Sequence, residues 1–133
     1  MIEPESSRLA AQRANNKEID AIWAAYSVMK DYQHDEEQWS RADLQFHLAI
    51  AAASHNPLIQ SILDPLTEPL SKVIVAGLTE QAAAQAGLEA HNQITTAIEN
   101  HDPERAYSAM FEHLLDSERR LLRIGFDLQG NSK

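Results

Sequence analysis

Polar residues able to cap a helix recur along this chain, and after each one apolar residues return every three or four positions, the period of a helix with one buried face. Such stripes bury themselves against other helices, so the pattern predicts an all-α fold: a single antiparallel helical bundle of about six helices. Asn15 followed by Glu18 has the form of a capping box, and Asp35 followed by Gln38 repeats the signature. Asn56-Pro57 and Asp102-Pro103 join a cap to a proline at the first helical position, where the missing N–H costs no hydrogen bond.

These marks predict helices over Pro4 to Ala14, Lys17 to Gln33, Asp35 to Ser54, from Pro57 onward, Glu80 to Asn100 after Thr79, and Pro103 to Ile124. The second carries the stripe Ile19, Ile22, Trp23, Tyr26 and Met29. In the fourth, Pro65 and Pro69 each remove a donor and crowd the carbonyl four residues back, which predicts a kink or break. Gly125 is expected to stop the last helix in the left-handed conformation. The reading gives one sensing domain over residues 1–125 and a frayed tail over 126–133.

At 133 residues and 44% apolar composition the chain is long enough for one hydrophobic core. It contains no cysteine, which excludes disulfides, thiolate metal sites and thiol catalysis and fits a reducing compartment, the cytoplasm. No apolar run is long enough to span a membrane, and Met1 to Arg8 hold no signal-peptide core. A net charge of −9 with scattered Lys and Arg, densest at Arg119, Arg120 and Arg123, argues against nucleic-acid binding by this chain itself.

The six histidines fall into two groups. His34, His55 and His101 stand just before helix starts, where a solvated or capping role is the ordinary one. The others lie on apolar faces. His47 follows Asp43 by one helical turn, so both side chains point the same way and can share one ion or one proton. His91 joins the stripe Leu88, Ile94, Thr95 and Ile98, and His113 stands beside Met110, Leu114, Ser117 and Leu121. Each alone is weak, since a lone histidine on an apolar face is usually a hydrogen-bonded core residue. Together, an aspartate and three imidazoles buried near one another are costly unless a cation compensates them. Imidazole with carboxylate suits a divalent transition metal, zinc first, with nickel, manganese or iron as alternatives, better than magnesium or calcium.

Ile2-Glu3-Pro4 with Leu9-Ala10-Ala11, Asp43-Leu44-Gln45-Phe46-His47, Asn56-Pro57-Leu58, His91 with Ala97-Ile98, and Asp102, Ala106, Met110 and His113-Leu114 together resemble the FadR C-terminal (FCD) domain. This is the effector-binding and dimerising half of many GntR-type bacterial transcription regulators. In its metal-binding branch the resemblance implies Asp43, His47, His91 and His113 as ligands, a small carboxylic acid as effector, and a homodimer. Within that branch the chain is most similar to sugar-acid sensors such as the galactonate-responsive regulators. The family's amino-terminal winged helix-turn-helix is absent from this chain, as is an arginine that usually precedes the Ile-Glu pair; DNA would be reached only through that missing head. Arg8 is a candidate replacement for the arginine, and Asn92 and Ser117 are further ligand-binding candidates, though each also reads as an exposed or capping residue. The run Val73-Ile74-Val75 with Leu78 could lie on a dimer interface or in the core.

Two other readings compete. A stand-alone metalloenzyme could use the same three histidines and aspartate, but no His-Glu-x-x-His or Glu-x-x-His motif is present, and Glu89 and Glu112 should point outward. Alternatively, the histidines could form a hydrogen-bonded polar core around an organic ligand without metal.

Overall fold

The computed structural model describes residues 2–63 and 81–131. Among the described residues there are six helices and no strand: α1 (Ile2–Arg13), α2 (Asn16–Asp31), α3 (Glu36–Ala53), α4 (Pro57–Leu63), α5 (Gln81–Glu99) and α6 (Pro103–Asn131). The expected kink at Pro65 and Pro69, the Thr79 cap and the Val73 to Leu78 run lie outside the described residues.

The capping chemistry forms as the sequence predicts. Asn15 Oδ1 accepts from the Glu18 N–H while Glu18 Oε1 accepts from the Asn15 N–H, both at 2.9 Å, which closes the capping box of α2. Asp35 receives the Gln38 N–H at 3.1 Å, Asn56 the Leu58 N–H at 3.0 Å and Asp102 the Arg105 N–H at 3.1 Å. Helix α3 ends into His55 and α5 into His101, each with φ of 53°, the left-handed region that normally selects glycine or asparagine. Both rings are tied down there: His55 Nε2 lies 2.8 Å from Glu18 Oε1, and His101 Nδ1 donates to the Ala11 carbonyl at 2.9 Å.

The end of α6 differs from expectation. The helix passes through Gly125 to Asn131, and no described glycine has a positive φ. A glycine inside a helix costs about 1 kcal/mol relative to alanine, which weakens a helix without ending it unless the backbone turns left-handed.

Helix α1 packs chiefly on α6 and also touches α3 and α5; α2 packs on α3 and α5, and α4 rests on α3. The stripes meet in one core in which Ile22, Met29, Phe46, Ile50, Ile94, Ile98 and Met110 are fully buried. Polar ties fix the helix register at the rim, among them Trp23 Nε1 to Glu99 at 2.8 Å and Arg13 to the Ser54 carbonyl at 3.0 Å. Gly87 lets α5 approach α3 closely: an added Cβ would lie 3.2 Å from Trp39 Cζ2. Among the described residues no helix is long and apolar enough to cross a membrane.

Candidate metal centre

Three helices carry ionisable side chains into an interior that also buries Ser6, Ser7 and Thr95. Asp43 and His47 stand one turn apart on α3, His91 on α5 and His113 on α6. His91 is only 1% exposed, Asp43 8% and His113 9%. A nitrogen from each of the three histidines lies within 4.8 Å of those from the other two. Asp43 Oδ1 sits 3.1 Å from His47 Nε2 and 2.9 Å from His91 Nε2. The rings of His91 and His113 meet edge to face at 4.6 Å, and Phe46 closes the floor at 4.4 Å from His91.

The Asp43 contacts are within hydrogen-bond distance; Asp43 Oδ1, His47 Nδ1 and both ring nitrogens of His91 are buried, and Nδ1 of His91 has no hydrogen-bond partner among the described residues. Asp43 Oδ1 faces Nε2 of both His47 and His91, while His47 Nδ1 points to Glu3, so the cluster between α3, α5 and α6 could hold a ligand. The spacing also fits an ion: bonds of about 2.1 Å place neighbouring ligand atoms about 3.0 Å apart at right angles and about 3.4 Å apart in a tetrahedron. The observed 2.9 and 3.1 Å are of that order, and are equally those of carboxylate–imidazole hydrogen bonds.

Electrostatics makes the same point. Burial alone would raise the Asp43 carboxyl, but the facing His91 and His47 rings hold it well below its ordinary 3.8. Burial would likewise lower His47, but Glu3 and Asp43, one at each ring nitrogen, outweigh it and hold the ring well above 6.5. His113 goes the other way, pushed well below 6.5 by burial and then by the charge on His91. One imidazole is thus kept neutral beside another that attracts a proton, a set of demands that a single cation would meet at once.

Glu3 is the residue that the sequence did not single out. Its Oε1 lies 2.7 Å from His47 Nδ1, with the two side chains 21% and 11% exposed. Burial would raise its carboxyl, and His47 reverses the shift. A signal existed: Glu3 stands seven residues before Ala10, on the stripe that α1 buries.

The weaker candidates have contacts of their own. Arg8 pairs with Glu5 and its guanidinium lies 5.5 Å from the centre of the Tyr107 ring. Asn92 donates to Tyr26 at 3.3 Å and accepts from Thr96 at 3.2 Å, on the side of α5 that lines a separate cavity of about 260 Å³. Ser117 is half-buried one turn beyond His113. Glu89 and Glu112 are exposed, as expected, and so is His34.

The profile of the FCD domain family matches residues 1–116. The galactonate operon transcriptional repressor of Escherichia coli (strain K12) is 27% identical over 93% of this chain and 55% of its own length. The HTH-type transcriptional regulator LutR of Bacillus subtilis (strain 168) is 26% identical over 89% of this chain and 56% of its own. The HTH-type transcriptional repressor NanR of Enterobacter sp. (strain 638) is 30% identical over 80% and 42%. Among solved structures, Streptococcus agalactiae GntR superposes with a TM-score of 0.70 at 27% identity, over 89% of this chain and 53% of that one. These relatives are transcription regulators rather than enzymes, and the chain spans about half their length.

Proposed function

The chain belongs to the FCD domain family, and from that premise we propose that it is the effector-sensing and dimerising domain of a bacterial transcription regulator. In this reading Asp43, His47, His91 and His113 hold one divalent transition-metal ion, and a small carboxylic acid binds beside it. The observation that carries the proposal is the cluster of His47, His91 and His113 nitrogens within 4.8 Å of one another, with Asp43 Oδ1 beside two of the rings, between α3, α5 and α6. The bound ion supplies positive charge and an open coordination position for a carboxylate oxygen. Imidazole and carboxylate donors suit zinc, manganese, iron and nickel, and an ion of five or six ligands would leave a position open.

A sugar acid is the preferred effector class, supported by the name of the galactonate operon repressor, to which this chain is similar. The output is a small shift of helices. An effector that prefers one arrangement by about 100-fold supplies roughly 2.7 kcal/mol, enough to change operator occupancy and too little to remodel a bundle. DNA contact is assigned to a separate head domain, in keeping with this chain's net charge of −9.

Native mass spectrometry of protein purified without a nickel column tests the reading. One ion per chain, a dimeric mass, and tighter galactonate binding with the ion than without it are the expected results. Protein that retains no ion, takes up none of zinc, manganese, iron or nickel, and binds sugar acids equally well with a chelator present would overturn it.

A further inference from the structure

An imidazole that ligates a metal must present a lone pair from one nitrogen, and the hydrogen on the other nitrogen needs an acceptor that fixes it there. At His47 the two nitrogens face different carboxylates. Nε2 lies 3.1 Å from Asp43 Oδ1, within the cluster, whereas Nδ1 lies 2.7 Å from Glu3 Oε1, on α1. That second contact is the shorter of the two.

Glu3 is out of character for its position. An acidic residue in the first turn of a helix ordinarily stays in solvent and complements the helix dipole. Glu5, more than a third exposed and paired with Arg8, does that on α1. Glu3 instead turns inward, mostly buried, across to α3. Taking a carboxylate out of water is unfavourable unless it gains a charge-assisted partner. His47 is that partner.

We infer that Glu3 is a positioning residue of the metal centre: its carboxylate accepts the Nδ1–H of His47, which leaves the Nε2 lone pair to ligate the ion beside Asp43. The inference rests on the metal reading above and adds to it a defined histidine tautomer and a link from α1, which supplies none of the four ligands. The alternative tautomer would put a hydrogen on Nε2, where it would exclude the ion. Glu3 works through His47 alone and needs no contact with the ion.

Cobalt(II) is the probe, titrated into the full chain and followed by its visible absorption. Glu3→Ala is expected to weaken cobalt binding by about 10–100-fold, the usual effect of removing the partner of a metal-bound histidine. Glu3→Gln, whose amide oxygen still accepts the Nδ1 hydrogen, should recover part of that loss. In the zinc-loaded protein, ¹⁵N NMR of labelled histidine should show His47 protonated at Nδ1 and metal-bound at Nε2. Should Glu3→Ala fail to fold, the wild-type spectrum still decides. Wild-type cobalt affinity in both variants, or metal bound through Nδ1 of His47, would overturn the inference and leave the metal reading standing. A wild-type chain that binds no cobalt or zinc would remove both.

Discussion

His91 Nε2 lies 2.9 Å from Asp43 Oδ1, which joins α5 to α3 in a part of the core where His91 is 1% exposed. Asp43→Asn keeps the shape and removes the charge. We expect the variant to fold, and to lose metal retention by at least about 100-fold, since a neutral amide is a far poorer ligand than carboxylate. Saturating zinc at about 100 times its Kd should raise the wild-type melting temperature by about 10 °C and the Asp43→Asn protein by no more than about 2 °C, as read by differential scanning fluorimetry.

The two outer histidines should give the metal-free protein opposite pH limbs. His47 is held above 6.5, so its contribution is fully present below 6.5 and is lost as pH rises through its higher folded value. His113 is held below 6.5, so the unfolded chain takes up a proton before the folded one does. Its effect is a loss of stability as pH falls from 6.5 toward the lower folded value. Melting curves in chelator from pH 5 to 9 should therefore flatten on the alkaline side in His47→Gln and on the acid side in His113→Leu. Identical profiles in all three proteins would contradict these assignments.

Glu18 closes the α2 capping box and also receives His55 Nε2 at 2.8 Å from the end of α3. Asn15→Ala removes the cap and should cost about 1 kcal/mol. Glu18→Ala removes the reciprocal half of the box together with the tie to His55, and is expected to cost more than Asn15→Ala in urea denaturation. Equal losses would mean that the His55 contact adds nothing.

What was legible in the sequence was whatever the helix itself dictates. Asn15, Asp35, Asn56 and Asp102 act on backbone groups two or three residues away, and Asp43 with His47 share a face because they are one turn apart. The meeting of His91 and His113 with that pair was expected from their apolar stripes and from resemblance. Glu3 was missed because its partner is 44 residues distant, and its inward turn depends on which neighbours α1 packs against. The contact of Arg8 with Glu5 follows from their spacing of three, whereas its place over the Tyr107 ring depends on how α1 packs on α6. Gly125 looked like a stop because glycine permits a left-handed turn, but it does not compel one.

His101 combines a left-handed backbone, φ of 53°, with a hydrogen bond from Nδ1 to the Ala11 carbonyl at 2.9 Å. His101→Gly relieves roughly 1 kcal/mol of backbone cost and forfeits a bond worth about the same, so it should be nearly neutral. His101→Val forfeits the bond and strains a β-branched residue in that region, and should cost about 2 kcal/mol or more. Chemical denaturation of the two variants separates the contributions.

At Gly87 a hydrogen stands where any other residue would place a carbon, and that carbon would meet Trp39 Cζ2 at 3.2 Å with His91 Cε1 at 4.0 Å. The indole is thus a hard stop against which α5 rests one turn before His91. Gly87→Ala requires Trp39 to give by a few tenths of an ångström beside His91, and should therefore cost stability in urea denaturation unless the indole finds room to turn.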